Sequence, residues 1–367
     1  MTAVPPHRCF AEISGAALQH NARVARERSG PNSALLAVIK ANAYGHGLAA
    51  VAETLASEAQ LFGVANIEEA IEASQTAPQP VMILGPALAA ERAEIVRRGF
   101  IATVSSCAEA REFGRLAKDK PASVACAIDT GMGRMGILES EAVAEVQKIA
   151  TLPNVAIHSI SSHLPSADED REYTEAQLAH FSALVAQIRG AVPGAYLAHT
   201  QPSAGVLGFN GAGSDMARVG LMLYGISPLP EFQSLVVPAL TLKSYVVLVR
   251  ELPVGSSVSY GRTFITRRPT HVATISAGYA DGMPRSIAGR GAVLIGGRRF
   301  PIIGRVTMDL IMVDVTDSPS VSIGDEVVLI GTQGEERILA TEVAEWASTI
   351  AWEIFTGIGS RVARVYV

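Results

Sequence analysis

The chain has 367 residues, of which 49% are hydrophobic, 18% charged and 5% aromatic, and this length suffices for two domains with a core each. Thirty Lys and Arg against 35 Asp and Glu give a formal charge of -5, so we expect no nucleic-acid partner. The three cysteines, Cys9, Cys107 and Cys126, lie far apart without metal-ligand spacing, which argues against a disulfide framework and a zinc site. The expected partners are small molecules.

The sequence shows no sign of export or of membrane insertion. The first fifteen residues lack a basic stretch followed by an apolar one, so no secretory signal is expected. The longest apolar patch, around residues 235–249, is broken by Pro238, Thr241 and Lys243 and falls short of the ~20 apolar residues that cross a bilayer. We therefore expect a cytoplasmic protein without a membrane partner.

Between residues 34 and 224, short apolar runs alternate with amphipathic stretches, as expected for β–α units around a parallel sheet. One intervening helix is well defined, because Phe181, Leu184, Val185 and Ile188 share one helical face. Eight such units in about 225 residues fit a TIM (β/α)8 barrel better than a doubly wound sheet, and both remain open at this point. The candidate strands are 34–39, 61–65, 81–84, 101–104, 122–128, 155–160, 196–198 and 216–223.

After about residue 235 the sequence changes to β-branched runs separated by Gly, Pro and Asp turns, which predicts a separate all-β domain. Only residues 341–349 have a helical pattern there. We therefore divide the chain into a barrel over 1–235 and a C-terminal β domain over 236–367. The predicted strands lie in TLKSYVVLV, HVATIS, GAVLIGG, RFPIIG, LIMVDV and DEVVLIG.

The first apolar run of the barrel ends in a lysine. Barrel active sites lie at the carboxyl ends of the strands, and AVIK places Lys40 there, followed by ANAYGHG with glycines that allow a tight turn. Burial lowers the pKa of a lysine and leaves a nucleophilic amine. Lys40 is therefore a candidate nucleophile, with a salt-bridged structural lysine as the alternative.

The fifth run ends in IDTGMGRMG, where Gly131, Gly133 and Gly136 satisfy the GxGxxG pattern of dinucleotide-binding proteins. That pattern needs an acidic residue about 20 positions later, and PNVAIH at 153–158 has none, so we reject this interpretation. Arg134 in this loop is the better candidate, as a fixed cation that can hold a carboxylate or a phenolate. The alternative is a surface arginine on a glycine-rich loop.

Two histidines and an arginine follow the later runs. His163 and His199 come near the ends of the sixth and seventh runs, and the eighth carries Arg218 followed by Gly220. A lone histidine is more often structural than catalytic, but all these residues would face one barrel mouth with Lys40. An arginine beside a glycine with an open backbone N–H suits an anionic ligand such as a phosphate.

Seven motifs together resemble those of one known family. AVIKANAYGHG, DTGMGRMG, SSHLPSADE, ARVGLMLYG, VSYG, GYADGMPR and GRVTMD are similar, in order and spacing, to motifs of the alanine racemases, which use pyridoxal 5′-phosphate (PLP). The resemblance spans nearly the whole chain. It implies an isomerase that interconverts L- and D-alanine, built from an N-terminal TIM (β/α)8 barrel and a C-terminal all-β domain. Whether the product serves cell-wall synthesis or D-alanine catabolism stays open.

The resemblance also implies a cofactor site, with Lys40 carrying PLP as a Schiff base and with hydroxyls and backbone amides holding the phosphate. Arg218 then binds the pyridine nitrogen and keeps it unprotonated, because arginine does not readily release a proton. His199 belongs to the network around Arg218. The residues implied for cofactor binding are Lys40, Tyr44, Arg134, His163, His199, Ser203, Arg218, Gly220 and Leu221.

Racemisation needs a base on each face of the substrate carbon, and the resemblance implies Lys40 and Tyr260 for these roles. A free tyrosine has a pKa near ~10, so Tyr260 needs neighbours that favour the phenolate. His163 and Arg218 resemble that support. Taken alone, without the flanking motif, Tyr260 fits an ordinary strand tyrosine better than a base.

The resemblance further implies that Arg134 and the backbone N–H of Met308 bind the substrate carboxylate. Tyr260 and Met308 lie in the β domain, which in this family completes the active site of the partner subunit. A head-to-tail homodimer with two shared active sites is therefore implied. A constricted entrance that favours small substrates is implied for Asp168, Tyr279, Arg285 and Arg305.

Three positions depart from the common family pattern. Ala127 stands where many members have a modified lysine that orients the equivalent of Arg134, Ser360 replaces a tyrosine that touches the phosphate, and Thr307 replaces a frequent cysteine. These changes leave open a racemase of broader amino-acid specificity. A PLP-dependent decarboxylase of the same architecture is a further alternative, which Arg218 disfavours because such enzymes usually place an acid at the pyridine nitrogen. A PLP carrier without turnover would not need VSYG and GRVTMD.

Overall fold

The computed structural model describes residues 7–209, 214–318 and 320–367, which form two compact units. The barrel unit contains Ala17–Ala43 and Leu48–Val237. The β unit contains the stretch that ends at Ala16, the segment Tyr44–Gly47, and Pro238–Val367. Across the described ranges, no helix combines the length and the apolar character that a membrane crossing requires.

The barrel unit is a nearly closed sheet of eight parallel strands, which confirms the predicted barrel. The last strand pairs with the first, Met216 opposite Ala34, and the remaining strands follow in chain order. On the other side of the last strand, the backbone N–H of Asp215 donates to the carbonyl of Ala198 at 2.8 Å. The strands are Ala34–Val38, Leu61–Val64, Val81–Pro86, Ile101–Val104, Ala122–Asp129, Val155–Ser161, Leu197–His199 and Met216–Val219, and Ile137–Leu138 adds to the fifth.

Helices connect the strands of the barrel, and several begin at a side-chain cap. Asn66, Ser106 and Asp170 each accept the backbone N–H three residues ahead, which satisfies a donor of the first helical turn. The apolar face predicted from Phe181 to Ile188 is buried, as expected. The helices are Gly15–Ser29, Leu48–Leu55, Ile67–Thr76, Arg92–Arg98, Cys107–Leu116, Ala142–Ala150, Arg171–Ala191 and Ser203–Gly208.

The β unit is built around the long strand Leu240–Leu252, which pairs antiparallel with three other strands. All six predicted runs form strands. A separate two-stranded ribbon joins Ser257–Val258 to Phe264–Ile265. The other strands of the unit are Cys9–Ile13, Thr270–Ile275, Ala292–Ile295, Arg298–Pro301, Ile311–Asp314, Glu326–Gln333, Glu336–Ile338 and Ala363–Tyr366, and its helices are Ala340–Ala347 and Ala351–Thr356.

The structure differs from the sequence analysis in both units. Cys9–Ile13, assigned with residues 1–235 to the barrel, pairs with Leu240–Leu252 and with Ala363–Tyr366 in the β unit. Tyr44–Gly47 also belongs to the β unit. The helix Ala351–Thr356 was not predicted, because six residues are too few to establish a helical period. Local patterns identify a strand or a turn without showing which sheet it joins.

Candidate active site

Lys40 opens a turn of unusual handedness. The next four residues, Ala41 to Tyr44, have φ angles between 51° and 53°, in the left-handed region that non-glycine residues rarely adopt. Each such residue costs roughly 1–2 kcal/mol, so the surrounding structure has to hold the turn. Glu69 contributes to this, because its Oε1 accepts the backbone N–H of Ala41 at 2.6 Å. Strain of this kind is concentrated at functional sites.

The amine of Lys40 is half-buried among positive charges. Burial lowers the pKa of Lys40, and the guanidinium groups of Arg134 and Arg218 lower it further. Glu69 acts in the opposite direction but does not restore the usual value. A lysine with a lowered pKa keeps more of its amine neutral near neutral pH, and the neutral form is the nucleophile and the base.

Arg218 and His163 form a direct pair in the barrel unit. Nη2 of Arg218 donates to Nδ1 of His163 and to the carbonyl of Ser162, both at 2.7 Å. Burial, together with the charges of Arg218, Arg134 and Lys40, lowers the pKa of His163 to about 3. The imidazole is therefore neutral, and because arginine can only donate, Nδ1 accepts and Nε2 carries the proton. Burial lowers the pKa of Arg218 to about 10, which leaves the guanidinium charged at neutral pH.

His199 lies in a buried polar strip and makes no direct hydrogen bond to Arg218 among the described residues, although the charge of Arg218 contributes to lowering its pKa. Its Nε2 contacts Oγ of Ser159 at 3.2 Å, and burial lowers its pKa well below the usual value. Its Nδ1, Oγ1 of Thr200 and Nε2 of Gln201 are buried without a hydrogen-bond partner among the described residues. Buried polar atoms are rarely left unpaired, so this strip has capacity for a ligand or for water.

The loop that carries Arg134 is organised by a residue that the sequence analysis did not single out. The carboxylate of Asp129 accepts the backbone N–H groups of Gly131, Met132 and Gly133 at distances between 2.9 and 3.1 Å. Arg134 itself is exposed and makes no hydrogen bond to the described residues. The backbone of this loop is therefore held by Asp129, which lies two residues after the family departure at Ala127.

A second missed residue is Gln177, on the helix that follows the sixth barrel strand. Its Nε2 donates to Oγ1 of Thr130 and to the backbone carbonyl of His163, both at 2.9 Å. The side chain is almost fully buried. The available sequence signal was a polar residue on an otherwise apolar helix face. In the structure, Gln177 links the Arg134 loop to the His163 loop.

The hydroxyl of Ser203 organises the turn after the last barrel strand. Its Oγ accepts the backbone N–H groups of Gly220 at 3.1 Å and of Met222 at 3.3 Å. Leu221 lies between them and is buried. Because the hydroxyl proton is not used in these bonds, Ser203 can still donate to an anion.

Most of the remaining predicted site residues belong to the β unit. Tyr44 is buried, and burial raises its pKa to about 12, so its hydroxyl stays protonated. Tyr260 and Met308, in contrast, are 70% and 53% exposed. Of the predicted entrance residues, Asp168 lies in the barrel unit, whereas the β unit contains Tyr279, Arg285 and Arg305.

Two loops of the β unit are held together beside Met308. The backbone N–H groups of Tyr279 and Ala280 donate to the carbonyls of Thr307 and Met308, both at 3.0 Å. The hydroxyl of Thr307 donates to the carbonyl of Leu310 at 2.9 Å and accepts its N–H at 3.0 Å. The departure from cysteine at this position thus supplies a hydroxyl that pins the turn containing Met308.

An ion cluster braces the same two loops. Arg361 donates from Nε and Nη2 to the buried carboxylate of Asp281, at 2.7 and 2.8 Å, and Nη1 lies 2.8 Å from Oδ1 of Asp309. Asp281 also accepts the N–H of Gly278 at 2.8 Å. Throughout the described ranges, no group of His, Cys, Asp and Glu side chains is arranged to hold a metal ion.

Comparison with known proteins identifies one family over almost the whole chain. The family model described as "Alanine racemase, N-terminal domain" matches residues 13–228, and "Alanine racemase, C-terminal domain" matches residues 239–366. The alanine racemase of Methylacidiphilum infernorum is 41% identical, over 99% of this chain and 94% of its own length. That of Halothermothrix orenii is 40% identical, over 97% of this chain and 96% of its own length.

Solved structures agree with this similarity. The alanine racemase from Bartonella henselae, with covalently bound pyridoxal phosphate, is 29% identical and superimposes with a TM-score of 0.89 over 99% of this chain and 100% of that one. The alanine racemase from Bacillus anthracis, with bound L-Ala-P, is 31% identical with a TM-score of 0.90, over 98% and 95% of the two chains. From the two matching domains and the full-length relatives, the chain belongs to the alanine racemase family.

Proposed function

We propose that this protein interconverts L- and D-alanine with PLP bound covalently to Lys40. The observation that carries the proposal is the half-buried amine of Lys40, whose pKa is lowered by burial and by Arg134 and Arg218, in a chain of the alanine racemase family. The covalently bound pyridoxal phosphate of the Bartonella henselae relative supports the choice of cofactor.

The residues present fit PLP in their chemistry. The amine of Lys40 can bond to an aldehyde, and Ser203 has a hydroxyl proton left for a phosphate. Among the described residues, the side chain of Arg218 donates to the neutral acceptors Ser162 and His163, so its guanidinium retains donors for the pyridine nitrogen. The phosphate is assigned to Tyr44, Ser203, Gly220 and Leu221, and the phenolic oxygen to Arg134.

PLP, when bound, withdraws electrons from the substrate and acidifies its Cα–H bond. The chain supplies the proton transfers, with Lys40 on one face of Cα and Tyr260 on the other. Lys40 suits this role because a lowered pKa increases the fraction of its amine that is neutral and able to accept a proton. Arg218 keeps its own proton and is oriented by His163, while Arg134 and the backbone N–H of Met308 hold the substrate carboxylate.

We also propose a homodimer in which each β unit completes the partner's active site. Tyr260 and Met308 carry two of the assigned roles and yet are 70% and 53% exposed. A base and a carboxylate contact work best where water is excluded, because electrostatic interactions are stronger there. A second copy of this chain that covers Tyr260 and Met308 would exclude water from both residues. A cytoplasmic location stays a prediction from the sequence.

The test is chiral chromatography of L-alanine incubated with the purified, PLP-saturated protein. Approach to equal amounts of the two enantiomers is expected, and Lys40→Ala should abolish the reaction in both directions. Lys120→Ala, at an exposed lysine of the barrel unit, is the matched control and should retain activity. Unchanged L-alanine would contradict the proposal, and carbon dioxide released from a diamino acid would point to a decarboxylase instead. Serine and larger amino acids, offered in competition, measure the breadth of specificity.

The two-base assignment has its own test. Tyr260→Phe removes the phenol and should mainly block proton abstraction from L-alanine, while abstraction from D-alanine by Lys40 is less affected. Rates of deuterium uptake from D2O at Cα, measured separately from each enantiomer, report this asymmetry. Activity equal to wild type in Tyr260→Phe would refute the assignment of Tyr260 as a base.

A further inference from the structure

The segment Tyr44–Gly47, which follows the left-handed turn after Lys40, is held by the last strand of the chain. Nε of Arg364 donates to the backbone carbonyl of Gly45 at 2.9 Å. The hydroxyl of Tyr366 donates to the backbone carbonyl of His46 at 3.1 Å. Both bonds lie within the β unit. The C-terminal strand therefore fixes the backbone of the segment Tyr44–Gly47 through the carbonyls of Gly45 and His46.

Close packing restricts the same segment further. Gly45 has a φ of +77°, and a Cβ there would overlap the backbone carbonyl of Phe355. A Cβ on Gly47, with a φ of +96°, would overlap the hydroxyl of Tyr366. The ring of His46 packs edge-on against Phe355, with centroids 4.9 Å apart. The segment thus has little freedom to shift while these contacts persist.

Arg364 also holds a second loop. Its Nη1 donates to the carbonyls of Gly359 and Val362, and its Nη2 to the carbonyl of Ile358, all at 2.7 Å. This loop contains Ser360, one of the positions that depart from the family pattern. One planar guanidinium therefore binds four backbone carbonyls in two segments, an arrangement that the single-point ammonium of a lysine cannot reproduce.

We propose that Arg364 is a positioning residue for the phosphate end of PLP. It orders Tyr44 through the carbonyl of Gly45, and it fixes the loop of Ser360 against the same guanidinium. The inference rests on the proposed function, in which the hydroxyl of Tyr44 binds the phosphate. Arg364 acts only through the residues that it holds and contacts neither cofactor nor substrate in this role.

The experiment compares wild type with Arg364→Lys, which keeps the charge and the aliphatic stem but loses the fork of donors. Purified holoenzymes are dialysed to equilibrium against graded PLP or graded pyridoxal, and bound cofactor is read from its visible absorption. We expect the Kd for PLP to rise about tenfold, with the Kd for pyridoxal unchanged, because only PLP carries the phosphate. The control is Arg250→Lys, at an exposed arginine of the β unit whose side chain makes no hydrogen bond to the described residues.

A second variant covers the case in which Arg364→Lys fails to fold. Tyr366→Phe removes one hydroxyl from a side chain that is 47% exposed, and should raise the Kd for PLP about threefold with pyridoxal again unaffected. Equal losses for PLP and pyridoxal, or no loss for either, would overturn the role of Arg364. If wild type bound neither compound, the proposed function would fall and this inference with it.

Discussion

Replacing Asp129 with asparagine should loosen the loop that carries Arg134. The carboxylate of Asp129 accepts three backbone N–H groups at distances between 2.9 and 3.1 Å. Partial burial on its own would raise the pKa of Asp129, but the hydrogen bonds from Gly131, Gly133 and Met132 outweigh it, and the pKa is lowered. A lowered pKa means that the folded loop favours the charged carboxylate, which asparagine lacks.

The magnitude follows from these three bonds. A hydrogen bond to an ionised group contributes about 1.5–3 kcal/mol, roughly twice a neutral one. Asparagine keeps one accepting oxygen and loses the charge, and the loop is partly exposed to solvent, so we expect a loss of about 1–2 kcal/mol against local opening. This corresponds to a factor of about 5–30 in the opening equilibrium. The contribution is present above the ordinary pKa of 3.8 and is lost as the pH falls through the lowered folded value.

Hydrogen exchange read by mass spectrometry on peptides spanning residues 129–136 measures this opening directly. Asp129→Asn should accelerate exchange there by about 5–30-fold and raise the KM for alanine more than it lowers kcat, because Arg134 is proposed to bind the carboxylate. Asp119→Asn, at an exposed aspartate without a hydrogen-bond partner among the described residues, is the control. Unchanged exchange would refute the anchoring role of Asp129. Faster exchange with an unchanged KM would refute the role of Arg134.

Three further substitutions test the β unit and the barrel histidine. Thr307→Val removes both hydrogen bonds between the Thr307 hydroxyl and the backbone of Leu310. It should lower the free energy of unfolding in urea by about 1–2 kcal/mol and raise the KM for alanine. Thr307→Ser keeps the hydroxyl and should restore both the stability and the KM. Asp281→Asn should lower the free energy of unfolding by about 2 kcal/mol, because its buried carboxylate holds Arg361, whereas Asp309→Asn at an exposed side chain should cost about 0.5 kcal/mol; equal costs would contradict this reasoning. His163→Gln should lower activity but leave the shape of the pH–rate profile between about pH 5 and 9 unchanged, since a pKa of about 3 keeps His163 neutral there; loss of an acid limb would show that His163 titrates.

The barrel strands were predictable because buried strands appear in the sequence as short runs of apolar residues. Strands such as Leu61–Val64 and Ile101–Val104 are buried at every residue, and parallel strands covered on both faces appear as uninterrupted apolar runs. Polar residues placed just after such runs, including Lys40 and His163, then fall at one end of the barrel by topology alone. The support of these residues was less visible, because it depends on side-chain contacts such as the one that Gln177 makes to the His163 carbonyl from the following helix.

The sequence by itself therefore determined the eight β–α units, the separate β-rich region and the ends of the strands at which Lys40 and Arg218 lie. Only the tertiary structure decided that Cys9–Ile13 joins the C-terminal sheet and that Arg364 holds Gly45, which is 319 positions away. The physical reason is the separation along the chain between the residues that interact. Apolar periodicity reports how one element faces its surroundings, whereas pairing between distant segments depends on the complementary shape and hydrogen bonding of surfaces that exist only after folding.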